Sequence, residues 1–333
     1  MKIILNNILA AAIVLVLIFI MSGCFKTENP IVYQYGQYPD TVYNMMELNS
    51  EYDDYNVGIY NISADIPLVF STNRASEGGQ FDLEQGIISY AFDQENGSFW
   101  MGVSIINNPF LSNLIGKVNT PRNDFGPYRF YNANEGYEYM ILASENEEGN
   151  LDMFYTKNLP SFNNASPEIH GPYPVNLLNS GSNEAYITFN TEEDTAYFTS
   201  DEGGNFDIYM HTRPSGTNID TWLNQDYETS TPVVNLNSEA DDKCPNLLGN
   251  IMIFTSNRPG GLGGYDLYYS VLTNGVWSAP VNLGAPINSE FDEYRPVLGG
   301  HTDFTNLFLI FSSNRPGGMG GFDLYFTGID FNN

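Results

Sequence analysis

Apolar residues along this chain gather in short runs and do not follow helical spacing. Ile251-Met252-Ile253-Phe254 has no polar alternation, the mark of a strand covered on both faces. It leads into Thr255-Ser256-Asn257-Arg258-Pro259-Gly260-Gly261-Leu262-Gly263-Gly264-Tyr265-Asp266-Leu267-Tyr268, and nearly the same letters return between Phe311 and Tyr325. The pattern predicts a strand, a tight turn whose four glycines reach positive φ without a Cβ clash, and a second strand. Asp266 then stands where its carboxylate accepts hydrogen bonds from turn amides and faces Arg258 across the hairpin. Asp323 and Arg315 hold the same positions in the second copy.

Looser copies precede these two. One hairpin opens at Phe70-Ser71-Thr72-Asn73-Arg74 and closes at Phe81-Asp82-Leu83; others close at Asp152 and Asp207. The closing aspartates Asp82, Asp152, Asp207, Asp266 and Asp323 lie 70, 55, 59 and 57 residues apart, and Arg258 and Arg315 have a counterpart only in Arg74. About 30 residues before each hairpin comes a lead-in such as Asn49-Ser50-Glu51, Asn237-Ser238-Glu239 or Asn288-Ser289-Glu290, followed by acids. It recurs more loosely around Val118–Asp124 and Asn176–Glu184. Units of near-constant length with four strand signals each predict an all-β chain, a β-propeller of five four-stranded blades. Five is favoured over six, because there are five closing aspartates and the 70-residue gap is too short for another blade. No helix of any length is expected after residue 24. The last unit lacks outer-strand material, and an open edge invites aggregation. A segment within Ile31–Leu48 is therefore expected beside Phe322–Phe326, closing the fifth blade.

The N-terminus reads as a targeting segment. A short basic start precedes an apolar run from Ile8 to Met21, which ends in Met21-Ser22-Gly23-Cys24. Small residues immediately before a cysteine resemble the bacterial lipobox, whose cysteine is acylated and becomes the first residue of the mature protein. The expected organisation is a lipoprotein signal peptide over 1–23, a tether over 24–40 beginning with lipidated Cys24, and the propeller over 41–333. Cys244 is then left without a disulfide partner and reads as a small buried residue.

Composition narrows the partners. Of 333 residues, 14% are aromatic and 16% charged, against about 25% charged in typical domains, which suits strands and turns. The formal charge of −28 repels nucleic acid and anionic lipid surfaces and excludes both as partners of the folded domain.

The Ser-Asn-Arg-Pro-Gly-Gly hairpins, their Tyr/Phe-Asp-Leu-Tyr closures and the Asn-Ser-Glu lead-ins resemble the TolB-type, WD40-like β-propeller repeat of bacterial envelope proteins, over roughly residues 45–328. The resemblance is close in the last two units and partial in the first three. It implies a rigid, non-catalytic interaction platform whose motif residues, Asp82, Asp152, Asp207, Asp266, Asp323, Arg74, Arg258 and Arg315, are structural.

A search for chemistry agrees with that expectation. The chain has no Gly-x-Ser-x-Gly elbow, no His-Glu-x-x-His pair and no phosphate loop. His170, His211 and His301 fall at unrelated repeat positions. Paired acids such as Asp53-Asp54, Asp241-Asp242 and Asp292-Glu293 offer hard oxygens for calcium, but lack the spacing of a known loop. The sequence thus predicts no catalytic residues, no metal site and no cofactor. It predicts a lipid-anchored scaffold of the outer membrane, periplasmic or surface facing, that binds an envelope protein or a cell-surface glycan and touches the membrane only through acyl chains on Cys24. The alternative is a glycosidase-like propeller using carboxylates of the central funnel.

Overall fold

The computed structural model describes residues 31–60, 65–159 and 168–331. The segment read as a signal peptide and Cys24 lie outside them. A two-residue strand, β1 (Tyr43–Asn44), precedes five antiparallel meanders. Blade 1 holds β2 (Asp54–Ile59), β3 (Asp65–Thr72), β4 (Asp82–Phe92) and β5 (Phe99–Ile105). Blade 2 holds β6 (Asp124–Asn132), β7 (Tyr137–Glu145), β8 (Leu151–Asn158) and β9 (Ile169–Pro174). Blade 3 holds β10 (Glu184–Phe189), β11 (Thr195–Ser200), β12 (Asp207–Thr212) and β13 (Thr231–Pro232). Blade 4 holds β14 (Asp242–Leu248), β15 (Ile251–Ser256) and β16 (Asp266–Thr273), whose outer edge is shared by β17 (Val276–Trp277) and β18 (Val281–Asn282). Blade 5 holds β19 (Glu293–Gly299), β20 (Leu307–Ser313) and β21 (Asp323–Ile329). The first strands β2, β6, β10, β14 and β19 touch their neighbours in a closed ring, so they surround the axis of a five-bladed propeller.

The expected closure is present. Strand β1 pairs antiparallel with β21, Tyr43 opposite Phe326 and Asn44 opposite Tyr325, and supplies the fourth strand of blade 5. Residues just before it, within the stretch read as a tether, dock on the same blade. Gly36 bridges to Phe304, and the buried Tyr38 ring stacks on Phe304 with centroids 3.9 Å apart.

The expectation of no helix fails. Helix α1 (Pro109–Val118) is capped by Asn108, whose side chain accepts hydrogen bonds from the amides of Phe110 and Leu111, and it starts on a proline that needs no partner there. Leu111, Leu114, Ile115 and Val118, at helical spacing, bury against blades 1 and 2 beside Val69, Leu83, Met140 and Leu142. A shorter helix, α2 (Ile219–Leu223), buries Trp222. Both sit in outer connections, where the repeat pattern is interrupted.

The lead-in motif explains how the blades lock together. Asn49, Asn119, Asn179, Asn237 and Asn288 each use both ends of the side-chain amide, at 2.8–3.2 Å, on the backbone N–H and C=O of one residue in the preceding blade's third strand. Each amide thus imitates one rung of a strand ladder. The next residue, Ser50, Thr120, Ser180, Ser238 or Ser289, donates from its amide and hydroxyl to the carboxyl that opens its own inner strand: Asp54, Asp124, Glu184, Asp242 or Glu293. The residue before that carboxyl, Asp53, Asn123, Asn183, Asp241 or Asp292, accepts the hairpin amide of the preceding blade at 2.8–3.2 Å.

Candidate functional site

The closing aspartates hold their own turns. Asp266 accepts the amides of Leu262 (2.5 Å) and Gly263 (3.0 Å), and Asp323 those of Met319 (2.6 Å) and Gly320 (3.2 Å). In the looser copies Asp82, Asp152 and Asp207 take a side-chain amide instead, from Gln80, Asn146 and Asn205. The arginines do not face them, contrary to expectation. Arg74 pairs with Asp54, Arg258 with Asp242, and Arg315 with Glu293 at 2.9 Å, all inner-strand carboxylates that are fully buried. Each arginine also donates to a hydroxyl of the second strand and to a lead-in carbonyl, as Arg258 does to Ser256 (2.9 Å) and Leu236 (2.6 Å). The reason is geometric: the side chain leaves the turn toward the blade boundary, where a buried carboxylate demands a counter-charge. The paired acids therefore split, one to a neighbouring hairpin and one to an arginine or hydroxyl. Among the described residues, no group of three or more histidine, cysteine, aspartate or glutamate side chains is arranged to hold a metal ion.

Blades 2 and 3 lack the arginine; Asn146 and Glu202 stand in its place. Asp124 and Glu184 consequently keep their hydroxyl partners but gain no cation. Burial pushes the Asp124 carboxyl up to about 6, against the opposing pull of its bonds to Ser144 and Thr120, and burial also raises Glu184. In blade 2 the space left by the guanidinium opens as a pocket of about 500 Å³, lined by Val118, Leu142, Phe154 and Arg122 with Thr120, Ser144, Glu145 and Asn146. Ser144 Oγ donates to Asp124 and Thr120 bonds its other oxygen, so two hydroxyl residues of the wall touch the buried carboxyl. Glu145 also lines the pocket and accepts Asn123 Nδ2 at 2.7 Å through Oε2.

The axis itself holds no carboxylate at the inner-strand positions nearest it. The third residue of every inner strand, Asn56, Gly126, Tyr186, Cys244 and Arg295, has φ between 47° and 59°, at a break in the ladder register. These are five equivalent β-bulges. The bulged amides of Asn56, Cys244 and Arg295 are caught by hydroxyls of the preceding blade, Ser312, Thr199 and Thr255. One residue earlier, Tyr55, Phe125, Lys243 and Tyr294 meet the hairpin rings Phe81, Phe206, Tyr265 and Phe322 in an aromatic bowl at the hairpin-side mouth. The funnel carboxylates of the alternative reading are thus displaced to the blade boundaries. Cys244 is buried as expected, and burial pushes its thiol up to about 11, which disfavours the nucleophilic thiolate.

Sequence reasoning noted the missing arginines without seeing that their loss leaves a protonatable acid beside a pocket. Arg295 went unnoticed because the other units place Asn, Gly, Tyr and Cys at its position, so no repeat signal marks it.

No protein-family model matches the chain, and no curated protein matches it by sequence. Solved structures do. An endo-arabinase from Bacteroides thetaiotaomicron superposes with a TM-score of 0.50 at 12% identity, covering 90% of this chain and 99% of that one. An α-L-arabinofuranosidase from Lactobacillus brevis gives 0.52 at 11%, covering 88% and 94%. A GH43_1 enzyme from Xanthomonas citri gives 0.54 at 6%, covering 88% and 92%. At these identities the likeness establishes the five-bladed architecture. It also corrects two expectations, that the chain is a non-catalytic scaffold and that it is not an enzyme: the architecture it shares, nearly end to end, is that of glycosidases, and the carbohydrate-active alternative fits it better.

Proposed function

We propose that this protein is a carbohydrate-active propeller of the glycosidase kind, with its sugar site in the blade-2 pocket. The observation that carries the reading is Asp124, an inner-strand carboxyl that has lost its arginine and is held protonatable near neutral pH beside that pocket. Glycoside cleavage needs two carboxyl groups in unlike environments, one to give a proton to the leaving oxygen and one to activate water or attack the anomeric carbon. Asp124 is the buried acid, and its proton reaches the pocket through Ser144 Oγ, which bonds it and lines the wall. Glu145, half-buried in the same wall, is the second carboxyl. Phe154, Leu142 and Val118 offer an apolar face to a sugar ring, and Arg122 and Asn146 offer hydroxyl partners. The proton leaves on the departing sugar oxygen, Glu145 takes a proton from the water that adds to the anomeric carbon, and solvent exchange then frees Glu145 and restores the proton on Asp124.

The same proposal puts the protein at the outer membrane, held by acyl chains on Cys24; its support is the Met21-Ser22-Gly23-Cys24 boundary after the apolar run.

The test is hydrolysis of aryl glycosides and polysaccharides, beginning with arabinofuranosides and arabinan, followed by reducing-end release. Asp124→Asn should lower kcat by about 10²-fold or more with KM little changed. Folded wild type that is inert across the panel, or an Asp124→Asn variant as active as wild type, would overturn the reading.

A further inference from the structure

Arg295 lies across the hub of the propeller with 1% of its surface exposed. Its Nε and Nη1 have no hydrogen-bond partner in the protein, and Nη2 reaches only the Gly126 carbonyl of blade 2, at 3.5 Å. The arginines Arg74, Arg129, Arg258 and Arg315 each pair with a carboxylate, so the carboxyls Asp54, Glu138, Asp242 and Glu293 are already taken. Around Arg295 stand Cys244, Tyr128, Tyr186 and Tyr294, whose thiol and phenols burial keeps protonated, and the guanidinium sits over the Tyr186 ring at 5.3 Å. The cation therefore has no negative charge beside it, an arrangement that a low-dielectric interior penalises severely.

A second orphan occupies the adjacent blade. Asn56, fully buried at the equivalent bulge of blade 1, has neither Nδ2 nor Oδ1 bonded. Tyr186 joins the two: its ring carries the guanidinium, and its hydroxyl, like that of Tyr55, is a weak hydrogen-bond partner of the Asn56 amide, short of full geometry. Two unpartnered guanidinium N–H groups and a poorly bonded amide thus flank Tyr186 at the axis, with no buried carboxylate to accept them.

We propose that the hub holds one monovalent anion of halide size, bound by Arg295 and Asn56. A buried guanidinium with two free N–H groups and no counter-charge selects an anion over a metal ion. A water molecule would satisfy the hydrogen bonds but leave the charge unbalanced. A single guanidinium balances a single negative charge, and the buried setting excludes bulky anions. The ion would join blade 5, which supplies Arg295, to blade 1, which supplies Asn56, at the hub. The inference is independent of where a sugar binds.

The experiment uses the intact protein. After dialysis into sodium gluconate, chloride or bromide is titrated at constant ionic strength while thermal unfolding is followed, and crystals grown in bromide are measured for anomalous scattering. A saturable rise of Tm with either halide but not with sulfate, and a bromide peak beside Arg295 and Asn56, are expected. Asn56→Asp, which brings its own counter-charge, should raise Tm in gluconate and weaken the halide response at least tenfold. Arg295→Met should abolish the response; if that variant does not fold, the wild-type titration and the bromide map still decide. No halide-dependent Tm, or bromide peaks on the surface only, would overturn the proposal.

Discussion

Asn49 and Leu324, 275 residues apart, are joined by two hydrogen bonds through one side chain: Leu324 N–H donates to Asn49 Oδ1 at 2.8 Å, and Asn49 Nδ2 donates to the Leu324 carbonyl at 3.1 Å. The same bond pair links every other blade boundary, but here it also closes the ring, between the start of blade 1 and the last strand of blade 5.

Replacing Asn49 with Ala leaves the buried Leu324 N–H without its partner, while the Leu324 carbonyl keeps the Met45 amide at 2.9 Å, so a loss of about 1–3 kcal/mol is expected. Denaturant titration of the variant measures it. A midpoint equal to wild type would mean that β1 closes the ring without the lead-in amide.

Arg258→Met strands the buried Asp242 carboxylate beside an apolar chain. A cost of about 3–5 kcal/mol follows, most of it recovered if Asp242 is made Asn in the same molecule. Equal instability of the single and double variants would show that Arg258 matters for its packing on Phe254 and Tyr268 and not for its charge.

Asp124 gives a pH dependence of opposite sign to that of a salt-bridged acid. Its folded-state pKa, about 6, exceeds the ordinary value of 3.8, so the native state binds the proton more tightly than the unfolded chain. Folding is unpenalised below about pH 4, loses stability as pH rises from 4 to 6, and above that carries the full penalty of roughly 3 kcal/mol. Asp124→Asn should therefore melt higher than wild type at pH 8 and nearly level with it at pH 4. The same proton sets activity: kcat should decline as pH climbs past about 6, because the acid form disappears. A flat pH–kcat profile between 5 and 8 would separate Asp124 from the chemistry.

Cys24→Ala should release the protein from membranes and abolish labelling by a fatty-acid analogue, since the acyl chains are the proposed anchor. Labelling that persists in the variant would refute acylation at that residue.

The ring and its closure were legible because Asp266, Asp323 and the Asn-Ser-Glu lead-ins recur at nearly constant spacing, and repetition survives even where single letters drift. Helix α1 was not legible. Its four buried residues cover less than three turns, too short a stretch to stand out among strand signals. The arginine partners were misassigned because Arg258 and Asp266 flank one turn in sequence, whereas the acceptor, Asp242, comes 16 residues earlier and meets the guanidinium only after the blade has folded. Asp124 was visible as a lead-in acid, but what distinguishes it is a missing partner, and Asn146 gives no hint of that until Arg74, Arg258 and Arg315 are seen in place.

The five bulges around the axis make the hub a dial with five settings, of which 126 and 186 must be turned together, because a side chain at Gly126 would meet the Tyr186 ring. Every blade presents its third inner residue at one height through the same left-handed kink, so exchanging that side chain leaves the ladder on either side intact. Glycine and asparagine rest in that conformation cheaply, whereas for tyrosine, cysteine or arginine it is strained by about 1–2 kcal/mol. Tyr186, Cys244 and Arg295 are thus held there against backbone preference. A library varying positions 56, 126, 186, 244 and 295 would recast the polarity of the axis without redesigning a single blade.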